Sequence, residues 1–114
     1  MSVKFHLSFM SRVVELNSSN FDSILRNSKR MFVDFWAPWC KPCVTMNPLI
    51  ERVADRHNSI IFAKVNVEEH NDIATRYHIS SIPSYVFFRD SHPSSSRIGA
   101  MSEAELEKMV QGVI

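Results

Sequence analysis

The chain has 114 residues and a mass of 13.2 kDa, with 45% apolar residues, 11% aromatic, 22% charged and a formal net charge of +1. That length fits one ordinary domain, and the apolar content suffices for a core without staples, while the charge balance excludes bulk disorder and any electrostatic case for nucleic acid as the main partner. No apolar run exceeds four residues, Tyr85–Phe88 being one, and neither of the two glycines sits in a Gly-rich loop, so a bilayer span and a phosphate cradle are excluded too.

Residues 1–12 carry Lys4, His6 and Arg12 and no acid; Glu15 is the first. Their apolar members Val3, Phe5, Leu7 and Phe9 alternate, so the continuous apolar block of a secretory signal is missing. A frayed extension, an extra piece of edge strand and a short organellar presequence all fit this segment, and Met10 is a second candidate start of the domain. From Val13, Val14 and Leu16 a short strand is expected, followed by a helix through Phe21, Ile24 and Leu25 with Ser18, Ser19 and Asn20 as candidate caps. Met31 to Trp36 is nearly all apolar and reads as a strand buried on both faces. Met46, Leu49, Ile50, Val53 and Ala54 form one helical stripe, Ile60 to Val67 reads as another buried strand, and a weaker helix covers 69–77. Tyr85 to Phe88 is a strand that pairs with Arg97 to Ala100. Ser102 and Glu105 form a capping box ahead of a helix whose face is Leu106, Met109, Val110 and Val113. The order β-α-β-α-β-α-β-β-α predicts an α/β fold, a mixed sheet covered by helices on both sides.

The only two cysteines are Cys40 and Cys43. A disulfide between residues so close constrains the unfolded chain very little, which leaves reactivity or metal binding as the better reason for the pair and points to a reducing compartment. The junction of a strand and a long helix places Cys40 at the helix N-terminus, where free N–H groups and the macrodipole favour a thiolate. Lys41 adds positive charge, and Pro42 is tolerated in the first turn. Cys43, one turn further in, suits a second thiol that attacks after the first has reacted. The competing reading is half of a zinc site, but there is no third cysteine, and His57, His70, His78 and His92 show no pair at ligand spacing. No metal is expected.

Val33-Asp34-Phe35-Trp36-Ala37-Pro38-Trp39-Cys40-Lys41-Pro42-Cys43 resembles the active-site segment of the thioredoxin family. Further resemblances follow in order: Pro48 inside the second helix, Ala63 to Val67 as the third strand, Ser81-Ile82-Pro83-Ser84 as the cis-proline loop, and Gly99-Ala100 before the last helix. The likeness covers residues 13–114, taken as the domain, with 1–12 as an N-terminal extension. It implies a thioredoxin-like fold, a central five-stranded mixed sheet flanked by four helices.

The resemblance also implies roles. Cys40 would be the nucleophile, Cys43 the resolving thiol, and Asp34 the acceptor of the Cys43 proton. Lys64 would tune Asp34, although an internal Asp34–Lys64 ion pair is the plainer reading; burial raises the Asp34 pKa and Lys64 lowers it, and the sequence does not decide between them. Trp39, Lys41, Pro42, Ile82, Pro83 and Gly99 would line the substrate groove, with the backbone before Pro83 pairing with an extended polypeptide. Trp36 and Pro48 would be structural. The implied activity is reduction of protein disulfides, with no bound cofactor. Electrons would come from NADPH through thioredoxin reductase, and clients would include peroxidases, ribonucleotide reductase and sulfoxide reductases. A monomer is the default, cytoplasmic unless residues 1–12 direct it to mitochondria or another organelle.

Two alternatives remain. An oxidase or isomerase domain typically has His where Pro42 stands; a non-enzymatic binding subunit often lacks a cysteine or the buried acid, both kept here. The sequence departs from the family at Lys41 and Ser81, where glycine is common, and over Asp90 to Ser96, a glycine-free polar stretch that reads as a long mobile loop in place of a tight turn.

Overall fold

In a computed structural model, which describes residues 11–112, the elements run β1 (Val13–Leu16), α1 (Phe21–Arg26), β2 (Arg30–Trp36), α2 (Lys41–Asp55), β3 (Ile61–Asn66), α3 (Asn71–Arg76), β4 (Ser84–Arg89), β5 (His92–Ile98) and α4 (Glu103–Val110). The five strands form one sheet in the order β1-β3-β2-β4-β5. β1, β3 and β2 are parallel, β4 is antiparallel to β2, and β5 is antiparallel to β4. The expected mixed α/β sheet with four helices is therefore present. Of the extension over 1–12, residues 1–10 lie outside the described residues, as does Val113 of the expected last helical face. Ser11 anchors the entry to β1 by donating its Oγ–H to Glu51 on α2 at 2.7 Å.

Alternation along the strands divides the core into two layers. Phe32, Phe62, Tyr85 and Phe87 meet Met46, Ile50 and Val53 of α2 and Leu106 and Met109 of α4. On the opposite face Met31, Val33, Phe35, Val65 and Phe88 meet Phe21 and Leu25 of α1 and Ile73 of α3. β2 contributes to both layers, and its five residues Met31 to Phe35 are buried. Among the described residues, no helix is long and apolar enough to cross a membrane.

Local chemistry sets the element ends. The Ser102–Glu105 capping box forms in full, each side chain accepting the other's backbone N–H. The entry to α1 departs from expectation. Asn20 is its N-cap but makes no side-chain cap hydrogen bond, and it is Asn17 Oδ1 that accepts the N–H groups of Ser19 and Asn20, at 2.8 and 2.9 Å. The amide acceptor reaches its own turn in an Asx arrangement that competes with a helix cap.

The expected long loop over Asp90 to Ser96 is corrected. β5 begins at His92, and the hairpin is closed by Asp90 and Ser91 alone, both with positive φ (49° and 71°), the signature of a type I′ turn. The absence of glycine misled the sequence reading. Aspartate tolerates the left-handed region, and tertiary bonds hold this turn: Asp90 N–H donates to Lys29 C=O and Ser91 Oγ–H to Leu25 C=O. Pro93 is accommodated because β5 is an edge strand, next to a register shift at Phe87/Phe88.

The end of α3 determines where the cis-proline loop begins. His78 N–H donates to Thr75 C=O and Ile79 N–H to Ala74 C=O, a Schellman closure with His78 in the left-handed region at φ 59°. His78 is exposed, so its side chain contributes little packing to offset that backbone. Replacing it with glycine (H78G) is expected to raise unfolding stability by about 1 kcal/mol, read as a higher midpoint in denaturant at an unchanged slope.

Candidate active site

The site is built where β2 ends and α2 begins. Backbone bonds hold the connection: Cys40 N–H donates to Ala37 C=O, and Val67 N–H donates to Trp36 C=O at 2.9 Å. Cys40 is the N-cap of α2 in extended conformation, with Pro42 in the first turn. The sulfur of Cys40 accepts the backbone N–H of Cys43 at 3.3 Å. This is a donor aimed at the atom that becomes anionic, and no acid sits in the first turn to oppose it. Cys40 and Cys43 are joined as a disulfide, with Cα atoms 5.3 Å apart. Cys40 retains 6% exposure and Cys43 none, so Cys40 is the more accessible of the two. Among the described residues, no group of three or more His, Cys, Asp or Glu side chains is placed to hold a metal ion.

Ile82 of the proline loop and Trp36 pack against this pair. The Ile82–Pro83 bond is cis, and Ile82 packs against the cluster of Ala37, Cys40 and Cys43. Pro83 C=O accepts the Gly99 N–H at 2.8 Å, tying the end of β5 to the proline loop. Gly99 has φ 95° with open space where a Cβ would stand, so its glycine serves the backbone conformation rather than a close approach. A cleft of about 180 Å³ opens beside Ile82, with walls that include Trp39, Val67, Ala74, Ile79 and Ser81. Lys41 and Pro42 are exposed in the first turn of α2 and Pro48 is exposed further along it, and none of the three lines this cleft. Trp39 is 66% exposed, yet its indole N–H donates to Glu68 Oε2 at 2.9 Å. Glu68 was not anticipated from the sequence. It lies 29 positions from Trp39, and only the β3–α3 turn brings it there.

Asp34 is 1% exposed in the centre of β2 and its Oδ1 has no hydrogen-bond partner. Lys64 lies directly across in register on β3, but the internal ion pair, the alternative reading of the sequence, is not formed. The Lys64 ammonium sits instead over the Trp36 ring, 5.0 Å from its centroid. The balance left open by the sequence is thereby resolved. Burial pushes the Asp34 pKa up to about 7, with Lys64 only partly offsetting it. An acid with a midpoint there can accept and release a proton under physiological conditions.

A disulfide pair at a helix N-terminus, packed against the residue of a cis-proline bond, with a buried acid in the strand that leads to it, defines a thiol–disulfide oxidoreductase on a mixed α/β sheet. The sequence profile of the thioredoxin family matches residues 12–112. Thioredoxin from Buchnera aphidicola subsp. Acyrthosiphon pisum is 38% identical over 103 residues, covering 89% of this chain and 95% of that protein. Thioredoxin from Alicyclobacillus acidocaldarius is 34% identical, covering 87% and 95%. Among solved structures, the oxidised mitochondrial thioredoxin 3 of Saccharomyces cerevisiae superposes with a TM-score of 0.81 at 28% identity, covering 88% of this chain and 94% of that one. A mutant thioredoxin from Halobacterium salinarum NRC-1 shares the fold at a TM-score of 0.83 and 23% identity, covering 90% of each chain. The chain belongs to the thioredoxin family, and its activity is protein-disulfide reduction through Cys40 and Cys43.

The raised Asp34 pKa has a consequence for stability. Between the ordinary carboxylate value near 4 and about 7, the folded chain holds a proton that the unfolded chain has lost, so stability falls as pH rises through that window. In the oxidised protein, Asp34→Asn is expected to remove this loss, becoming more stable than the parent above neutral pH by an amount on the order of 4 kcal/mol and showing little advantage below about pH 4. Denaturant unfolding across the acid-to-neutral range measures it.

Proposed function

We propose that the reduced protein attacks client disulfides with the Cys40 thiolate, with Cys43 as the resolving thiol and Asp34 as the acceptor of its proton. Attack forms a Cys40–client mixed disulfide and expels the other client sulfur as a thiolate, which takes up a proton. The Cys43 thiol then passes its proton to Asp34, and the resulting thiolate attacks Cys40 sulfur, forming the Cys40–Cys43 disulfide and releasing the second client thiolate. Two electrons pass from the dithiol to the client. The observation that carries this reading is the order of burial across the disulfide on a helix N-terminus: Cys40 keeps slight exposure and Cys43 has none.

The groove supports a polypeptide client. Among the described residues, neither the N–H nor the C=O of Ile82 has a backbone partner outside the strands and helices, so both are available to an extended chain lying past Cys40. Trp39, Lys41, Pro42, Ile82 and Pro83 form the contact surface in this reading, and Gly99 holds the Pro83 end of it. Lys64 acts through its charge on Asp34 rather than by direct pairing, and Trp36 and Pro48 serve the scaffold. The domain comprises residues 13–114. It works as a monomer without a bound cofactor, receives electrons from NADPH through thioredoxin reductase, and serves peroxidases, ribonucleotide reductase and sulfoxide reductases. A cytoplasmic location suits a chain whose only cysteines are its redox pair; residues 1–12 are an N-terminal extension, and should they act as a presequence the location becomes mitochondrial or another organelle.

Equilibration of the Cys40/Cys43 pair with graded thiol buffers tests the direction of electron flow. A potential at or below about −250 mV is expected, whereas a value above roughly −200 mV would place the protein with oxidants and isomerases. Trapping supplies the residue roles: Cys43→Ser should accumulate the mixed disulfide with client protein, and Cys40→Ser should form none.

A further inference from the structure

One buried polar group has no part in the chemistry above. Tyr85 lies on β4 directly opposite Asp34 in the antiparallel register, so both side chains leave the same face of the sheet, toward α2 and α4. Its side chain is completely buried, and its hydroxyl has no hydrogen-bond partner within the protein. The same is true of Asp34 Oδ1, so these two are the buried side-chain polar atoms without a partner among the described residues. Orphaned buried polar groups are costly and rare, and finding two at opposed positions of neighbouring strands is explained most simply if each serves the other.

The surroundings leave the pair few alternatives. The ring of Tyr85 stacks on Phe32 at 5.6 Å and 19°, which fixes its plane inside the aromatic layer. Across the sheet on this face, the register aligns Lys64 of β3, Asp34 of β2, Tyr85 of β4 and Arg97 of β5. Lys64 is engaged over Trp36, and Arg97 donates to Glu105 of α4 at 2.9 Å. The buried residues of α2 on this side are Cys43, Met46, Ile50, Val53 and Ala54, of which only Cys43 can titrate. Burial and the nearby Asp34 carboxylate both raise the Tyr85 pKa, with Arg97 acting the other way, so the phenol stays protonated and is a donor throughout the working range.

We propose that Tyr85 is a positioning residue for Asp34, its hydroxyl donating toward the carboxylate through one bridging solvent molecule, and holding it as the acceptor for the Cys43 proton. The inference rests on the reading of Asp34 as that acceptor. A donor to the carboxylate favours its ionised form, so it works against the burial that keeps Asp34 protonated. Tyr85 thereby widens the pH range in which an empty acceptor is ready.

The test uses Tyr85→Phe, which keeps the ring and its stacking and removes one oxygen. Reduced protein is mixed in a stopped-flow instrument with an aromatic disulfide whose thiolate product absorbs visible light, and the second, intramolecular release is followed against pH in the parent, Y85F, D34N and the double variant. The Asp34 carboxyl carbon is titrated in parallel by NMR in the oxidised parent and Y85F. In Y85F both midpoints are expected to move up by about one pH unit, the size for losing one hydrogen bond to a charged group, and adding Y85F to D34N is expected to change nothing further. If D34N alters the release profile while Y85F leaves both midpoints in place, Tyr85 has no such role. An equal Y85F effect with and without Asp34 also overturns the inference, because the hydroxyl then acts elsewhere. If D34N itself leaves the profile unchanged, the acceptor reading fails, and this inference fails with it.

Discussion

The burial of β2 on both faces is the constraint from which the site follows. The strand is bonded to β3 on one edge and β4 on the other, and side chains from all four helices cover its two faces. A strand held in this way cannot slip in register without moving its apolar residues to the wrong layers. Its C-terminal end therefore delivers Ala37 and Cys40 to a fixed point, and α2 starts there with the Cys43 N–H aimed at the Cys40 sulfur. The same burial denies Asp34 a hydration shell, so a residue that would be an ordinary surface acid becomes a group titrating near neutrality. The placement of Cys40 and the near-neutral titration of Asp34 both come from one strand.

Burial and ionisation oppose each other at Asp34. An ionised carboxylate in the apolar layer is unfavourable, and its register partner Lys64 relieves it only at a distance because the ammonium is held over Trp36. A direct ion pair would make the carboxylate permanently charged and a poor proton acceptor at neutral pH. The arrangement observed leaves the acid both buried and responsive. Elsewhere ion pairs lie at the surface: Arg52 of α2 and Arg56 at its C-cap meet Glu103 and Glu107 of α4 across the outside of the molecule, where solvent screens them and their contribution is small.

Much of this was legible in the sequence, and the misses share a cause. Helical stripes, buried strands and the capping box are local patterns, and Met46 to Ala54 or Ser102 to Glu105 announce themselves within a few turns. The β4–β5 turn did not, because its left-handed Asp90 and Ser91 are sustained by carbonyls of Leu25 and Lys29, far away in the chain. Asn17 took over the turn before α1 from the serines and Asn20 beside it, a competition among neighbouring polar side chains that spacing alone does not rank. Glu68 escaped notice because nothing in its own neighbourhood marks it; its role exists only once β3 and α3 are folded against Trp39.

By itself the sequence determined the α/β class, the place of Cys40 at a strand-to-helix junction, the pairing of Cys40 with Cys43 as a redox centre, and the presence of an acid within a buried strand. These are matters of residue type and periodicity, and the chain carries them wherever it is. The tertiary structure decided which of two opposing influences on Asp34 prevails, that Lys64 turns to Trp36 rather than to the carboxylate, and that Tyr85 stands opposite Asp34. Those outcomes depend on distance and solvent exclusion between strands remote in sequence. Desolvation and charge interactions change steeply over a few ångströms, and only the folded sheet sets those separations.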